Sequence, residues 1–305
     1  MENAKEIRAR IKSIRDTEKI TNAMYMIASS KMRKAKNDLD KTRPYFDALG
    51  REIKRVFRTV EGVESRYFYP DDASKLRNGT YGLLVITTDK GLAGAYNKSV
   101  IKEAERLLSE HPDTKLFVVG EYGRRYFLKQ NRAVERSFLY TAQNPTMDRA
   151  REISYYLLDL FDRGELTKIF VVYSDLKNSL TTKAVSTRLL PFHHHNNYPA
   201  HSNKNEPEVS VPFEFYPSVE AVVNSVVKSW LSGYIYSALV DSFCSEQSAR
   251  MTAMSVANKN AEKLLELLTV QYNLLRQEAI TEEITEVISG AKSLKRKRKR
   301  EVLQP

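Results

Sequence analysis

The chain has 305 residues, of which 42% are hydrophobic and 29% charged, and its formal net charge is +11. The apolar content supports a folded core, and only 11 glycines and 10 prolines argue against a disordered chain. The single cysteine, Cys244, excludes an internal disulfide and a cysteine-based zinc site. The sequence has no apolar run long enough to span a membrane, and its polar start predicts neither a signal peptide nor a transit segment. We therefore expect an intracellular protein, whose positive charge suits nucleic acid, lipid head groups or an acidic protein surface.

A long amphipathic helix is predicted over residues 1–57. Apolar residues recur there at steps of three and four, the spacing of a heptad repeat: Ala4, Ile7, Ile11 and Ile14. Glu18 stands at the next seam position, so we expect the phase to slip and the apolar seam to resume at Ile20, Met24 and Ile27. A helix of about 55 residues would be roughly 80 Å long, and one compact core cannot cover that length. The helix therefore needs a partner.

A second long helix is predicted over residues 217–291, followed by a basic tail over 292–305. Gly233 is the only glycine in this helix before Gly290. Its apolar residues also follow heptad steps: Leu265, Leu268, Tyr272, Leu275 and Ala279. Because the two long helices lie at opposite ends of the chain, an antiparallel coiled coil is the economical arrangement.

The middle of the chain, residues 80–216, predicts an α/β domain. Continuous apolar strands are predicted at 81–87, 115–120 and 167–173, and helices at 95–109, 121–129 and 147–163. This alternation predicts a mostly parallel sheet covered on both faces. Further strands are predicted at 134–139, 182–190 and 209–215, with a polar loop over 191–207. The expected fold class is therefore α/β: a long antiparallel coiled coil of the terminal helices with an inserted Rossmann-like α/β domain.

Three segments could carry chemistry, and a structural interpretation is favoured for each. The segment 88–95 lies between a strand and a helix, but it lacks the glycine patterns of phosphate-binding loops, which favours a tight turn. The triplet His193–His195 is expected in an exposed loop, because adjacent side chains point different ways and no other metal ligands accompany them. Cys244 has no histidine or asparagine that could be paired with it, which favours a small buried side chain over a nucleophile.

The run of six basic residues at 295–300 is the strongest anomaly of composition. A solvated, flexible tail is the favoured interpretation, because no aromatic residues are interleaved with the charges. The run nevertheless motivates an alternative function, that of a nucleic-acid-binding coiled-coil protein acting through its tail. A nucleotide-dependent enzyme built on residues 80–216 is the third hypothesis.

Several motifs closely resemble those of F-type ATP synthase gamma subunits, and they follow the family's order along nearly the whole chain. They are IKSI at 11–14, TEKITNAM at 17–24, SSKMRKA at 29–35, TDKGL at 88–92 with Asn97, and SEQSARMTAM at 245–254. Shorter matches follow at 260–261, 268–269, 272–273, 276–277, 279–281, 283–284 and 290–291. Ala93 and Ala95 stand where the family usually has cysteine and glycine, and the basic extension after Leu294 is not typical. The redox cysteine pair of chloroplast members is absent.

The resemblance implies a central rotor shaft without an active site, cofactor or metal. Such a shaft couples ion-driven rotation to ATP synthesis or hydrolysis through asymmetric contacts. The implied partners are alpha and beta subunits, three each around one copy, an epsilon subunit and a membrane c-ring. No nucleic acid and no direct membrane insertion are expected. The implied location is peripheral, on the cytoplasmic side of a bacterial cell membrane.

The resemblance also implies a set of partner-contact residues. Arg276, Gln277 and Thr281 correspond to the polar group that engages the catch loops of the beta subunit. Met24, Lys31 and Arg33 correspond to residues near that contact and the seam of the rotor. For each of the six, an ordinary place on the surface or seam of a coiled coil is the alternative.

Overall fold

The computed structural model describes residues 4–59, 66–68, 79–139, 141–178, 181–192, 215–216 and 218–301. The chain divides into two compact units. The larger unit is Ile27–Ala253, and the smaller one combines Met1–Met26 with Met254–Pro305. The triplet at His193–His195 and nearly all of the predicted strand at 209–215 lie outside the described residues.

Five helices and five strands are found in the described part of the chain. Their order is α1 (Ala4–Thr59), β1 (Tyr81–Ile86), α2 (Tyr96–Glu110), β2 (Thr114–Val119), α3 (Glu121–Lys129), β3 (Arg136–Phe138), α4 (Met147–Asp162), β4 (Lys168–Asn178), β5 (Thr181–Leu190) and α5 (Val219–Glu301). A short 3₁₀ turn, Thr141–Gln143, precedes α4. Two very long helices with an α/β segment between them confirm the predicted fold class.

The sheet has the strand order β3-β2-β1-β4-β5. The first four strands run parallel, and β5 runs antiparallel to β4. Residues 82–86 of β1 and 116–119 of β2 are buried throughout, as continuous apolar runs predict for a sheet covered on both faces. Phe117 and Phe127 belong to two different apolar clusters and are fully buried.

Within the larger unit, α1 and α5 come very close together at two glycines. A Cβ atom on Gly233 would lie 1.9 Å from Cδ1 of Phe46, and one on Gly50 would lie 3.2 Å from Nε1 of Trp230. Each glycine thus leaves room for an aromatic ring of the other helix. Cys244 is buried here as predicted, and burial raises the pKa of its thiol to about 12.

The smaller unit corrects the predicted seam of the coiled coil. Ile7 and Ile11 are buried, but Ile20 is 61% exposed and Ile27, the first residue of the larger unit, is 54% exposed, so the predicted phase slip is wrong. The heptad phase continues instead through Glu18 and Thr21, which are half-buried. The hydroxyl of Thr21 donates a hydrogen bond to the side-chain oxygen of Asn258 on α5. A seam position without an apolar residue can therefore be occupied by polar side chains that form hydrogen bonds with each other.

Helix α5 extends well beyond the seam. Leu265, Leu268, Tyr272 and Leu275 are half-buried, but every side chain described from Arg276 to Lys295 is exposed. The backbone remains helical to Glu301, so the basic run assigned to a tail continues the helix. Lysine and arginine are good helix formers, and positive charge at a helix C-terminus complements the helix dipole. None of the described helices contains a stretch apolar and long enough to cross a bilayer.

Candidate partner-contact site

Arg276, Gln277 and Thr281 lie together on the exposed end of α5, in the smaller unit. The hydroxyl of Thr281 donates to the backbone carbonyl of Gln277 at 2.8 Å, one helical turn earlier. Arg276 is the only basic residue between Lys263 and Lys292, a stretch that includes five glutamates. Among the described residues, no ion pair or hydrogen bond engages its guanidinium group. The end of α5 therefore offers one isolated cation beside an amide that can donate and accept hydrogen bonds.

The other three predicted residues lie on α1. Met24 is half-buried in the smaller unit, whereas Lys31 and Arg33 are exposed in the larger unit. Burial raises the pKa of Glu246 on α5, and the positive charge of Lys31 is a minor influence that opposes this rise. The structure thus places Gln277 and Thr281 in direct contact. Lys31 and Arg33 belong to a different compact unit from the α5 group.

The segment after β1 forms a tight turn, as the sequence favours. The side chain of Asn97 holds it closed, accepting from the backbone nitrogen of Thr88 at 3.1 Å and donating to the Thr88 hydroxyl at 2.8 Å. Oδ1 of Asp89 accepts from the backbone nitrogen of Glu121 at 3.0 Å, and so caps the first turn of α3. Leu92 and Gly94 both adopt positive φ angles, 65° and 53°.

Helix α5 lies next to this turn and contacts β4 at Ser174, just beyond the residues that pair with the carboxyl end of β1. In doubly wound sheets, the crevice at the carboxyl ends of the strands is the usual position of a bound ligand. Here Ala249 packs against the apolar cluster that contains Ala93 and Tyr96. Nη2 of Arg250 donates to the carbonyl of Gly91 at 3.2 Å. Helix α5 thus contacts the turn beside which such a ligand would bind, which argues against the hypothesis of a nucleotide-dependent enzyme.

A buried ion pair lies at the same place. Glu246 and Arg250 are 2.6 Å apart, with side chains only 9% and 12% exposed. Burial raises the pKa of Glu246, and the charge of Arg250 opposes that rise. Sequence reasoning missed this cluster. The available signal was the spacing of Ser242, Glu246 and Arg250, which places the three side chains on one face of a helix. The described residues contain no group of three or more metal-ligating side chains.

Comparisons with known proteins agree over nearly the full length of the chain. A family model described as ATP synthase matches residues 3–294. The ATP synthase gamma chain of Caldanaerobacter subterraneus subsp. tengcongensis is 42% identical over 292 residues, covering 94% of this chain and 98% of that protein. The sodium-ion-specific ATP synthase gamma chain of Acetobacterium woodii is 30% identical, covering 96% of this chain and 99% of that protein.

Solved structures support the same fold. A chain of the Euglena gracilis mitochondrial ATP synthase superposes with a TM-score of 0.66 at 17% identity, covering 97% of this chain and 96% of that one. A chain from the central stalk and c-ring of the Tetrahymena thermophila mitochondrial ATP synthase gives 0.58 at 25% identity, covering 78% of this chain and 99% of that one. With the family match over residues 3–294 and the identities of 30–42% over nearly the full length, the chain belongs to the family of ATP synthase gamma chains.

Proposed function

We propose that this chain is the rotor shaft of an ATP synthase, in which three alpha and three beta subunits surround one copy of it. The observation that carries the proposal is the nearly full-length match to gamma chains, combined with the exposed end of α5 from Arg276 onward. A gamma chain is a non-catalytic subunit, so the chemistry of ATP belongs to other subunits of the complex. No comparison supports the nucleic-acid alternative.

The remaining partners in the proposal are an epsilon subunit and a membrane c-ring. Both sit on the side of the complex that carries the α/β domain. The chain would then be peripheral to a bacterial cell membrane, on its cytoplasmic side, as part of a membrane-associated complex. The Tetrahymena and Euglena chains named above come from mitochondrial assemblies described with a c-ring, which supports a c-ring as a partner.

The mechanism we propose is that the shaft makes different contacts with the three catalytic sites in each of its orientations. A shaft that bound one catalytic site too tightly would stall, so each orientation must favour a different state of the three sites by a limited free energy. The isolated guanidinium of Arg276, with the amide of Gln277, can make charge-assisted hydrogen bonds with acidic loops of a beta subunit. Thr281 stands one turn further along the same face as Gln277. Met24, Lys31 and Arg33 are proposed to lie near that contact and the seam.

Reconstitution tests the proposal. The purified chain is mixed with the alpha and beta subunits of its own source, and the complex is isolated for measurement of its stoichiometry and ATP hydrolysis. One copy per three alpha–beta pairs, with activity well above that of the ring alone, is the expected result. Failure to form a complex, together with salt-dependent duplex DNA binding that is lost on deleting residues 295–300, would favour the nucleic-acid alternative instead.

Arg276→Ala is expected to lower coupled turnover in the assembled complex by up to about tenfold, because a charge-assisted contact is lost. Its melting temperature should stay close to that of the wild-type chain, since the side chain is exposed and supports no core contact. ATP-driven ion pumping and thermal unfolding measure the two effects. Lys263→Ala, another exposed cation on the same helix, is the matched control. A large drop in melting temperature for Arg276→Ala would show a folding role and contradict the contact assignment.

A further inference from the structure

We propose that β4 beyond Val172 and the turn of α5 that carries Ser242 and Ser245 form the torque-bearing joint of the chain. The two serines act in this joint as positioning residues. The inference rests on the proposed function, because only a rotor has torque to pass between its helices and its α/β domain. It concerns the larger unit alone, which contains both parts of the joint.

Strand β4 is longer than its parallel neighbour. The pairing of β1 with β4 ends at Val172, whereas β4 continues to Asn178. Beyond Val172, none of the described strands pairs with that side of β4, and buried backbone groups there need another source of hydrogen bonds. Ser174 is 4% exposed, so water cannot supply them freely.

Two serines of α5 take the place of the missing strand. The hydroxyl of Ser242 accepts from the backbone nitrogen of Ser174 at 3.3 Å. The hydroxyl of Ser245 donates to the backbone carbonyl of the same residue at 3.2 Å. Both serines are almost completely buried, at 2% and 0% exposure. The backbone nitrogen and the backbone carbonyl of Ser174 are thus both hydrogen-bonded to side chains from one turn of α5.

Two further hydrogen bonds between hydroxyl groups tie α5 to the α/β domain. The hydroxyls of Tyr173 and Tyr234 lie 3.2 Å apart, and those of Ser154 on α4 and Ser232 lie 2.7 Å apart. Apolar packing is not directional and lets a helix slide over a sheet with little change in buried area. Hydrogen bonds between buried groups permit only one register, since a shift leaves them unpaired at a cost. These contacts, with the hydrogen bond of Arg250 to Gly91, therefore fix the position of α5 on the α/β domain.

The test uses the double variant Ser242→Ala/Ser245→Ala, assembled with the alpha and beta subunits of its source. A bead is attached to the α/β domain through a cysteine placed at the exposed Lys102 on α2. The measurement is the angular fluctuation of the bead while the head is paused. We expect its variance to grow roughly twofold, because both hydrogen bonds between α5 and the backbone of Ser174 are removed. Unloaded ATP hydrolysis should be unchanged, because the joint lies outside the catalytic sites.

Controls separate the joint from general instability. Ser237→Ala removes a half-buried hydroxyl from the same helix that makes none of these contacts, and it should leave the variance unchanged. Tyr173→Phe, which deletes one hydroxyl and keeps the ring, should broaden the fluctuation less than the double variant and serves if the latter does not fold. A lower melting temperature with unchanged variance in both variants would overturn the inference. Failure of the wild-type chain itself to assemble would overturn the proposed function, and with it this inference.

Discussion

A Gly233→Val substitution is expected to destabilise the chain by about 3 kcal/mol or more. The first side-chain atom would lie 1.9 Å from Cδ1 of Phe46 and within 2.4 Å of two other ring atoms. The ring cannot move aside easily, because it packs against the main apolar core of the larger unit. Thermal or urea unfolding of the full chain measures the effect.

The helix itself supplies a control for this prediction. Glycine is a poor helix former, so a substitution to alanine in open space should stabilise a helix by up to about 1 kcal/mol. Gly290→Ala meets that condition, because nothing lies within 4 Å of the added atom. The second variant Gly233→Val/Phe46→Leu should recover part of the lost stability. A Gly233→Val chain as stable as the wild type would mean that α1 and α5 do not approach as closely as described.

The stability of the wild-type chain is expected to depend strongly on pH through Asp241, and the Asp241→Asn variant should lack this dependence. Burial raises the pKa of the Asp241 carboxyl to about 7, against the attraction of Arg43 and with additional repulsion from Asp175 and Asp40. Asp241 is 8% exposed, and its closest approach to Arg43 is a long 3.8 Å. The cation therefore offsets only part of the cost of burying the charge.

The raised pKa of Asp241 makes the folded state less stable at higher pH. The folded chain holds the proton of Asp241 up to about pH 7, whereas the unfolded chain releases it near the ordinary value of 3.8. The stabilisation from this group is therefore complete below about pH 4 and is lost as the pH rises through 7, by roughly 4 kcal/mol in all. Urea unfolding at pH 5 and pH 8 should show a smaller difference for Asp241→Asn than for the wild type. Glu283→Gln, an exposed carboxyl on the same helix, should leave the difference unchanged.

The sheet could be predicted from the sequence because its strands are continuous apolar runs. The seam of the coiled coil could not be predicted in full. Glu18 and Thr21 look like interruptions in the apolar pattern, yet the structure keeps the heptad phase through them. Thr21 bonds with a side chain more than two hundred residues away, and nothing near it in the sequence identifies that partner. Hydrophobic periodicity records burial of apolar groups only, and it is silent about polar groups that satisfy each other.

The candidate site, too, could be predicted from the sequence only in part. Arg276, Gln277 and Thr281 could be proposed only through a family resemblance, since their exposed side chains leave no trace in core packing. Their proposed role depends on contacts with other subunits, which the folding of this chain does not determine. The serines of the joint were not found, because their importance depends on α5 lying over the unpaired end of β4. A helix position relative to a sheet edge is a tertiary fact that local sequence does not encode.

The single helix α5 passes through two environments, and the consequence is two kinds of mutational tolerance. Between Trp230 and Gln247, nearly every side chain is buried whichever way it points, so substitutions on any face should reduce the amount of folded protein. Between Arg276 and Lys295, every described side chain is exposed, so the same substitutions should leave abundance unchanged and affect only performance in the complex. Sequence variation among relatives should therefore be limited by folding in the first stretch and by contacts with partner subunits in the second.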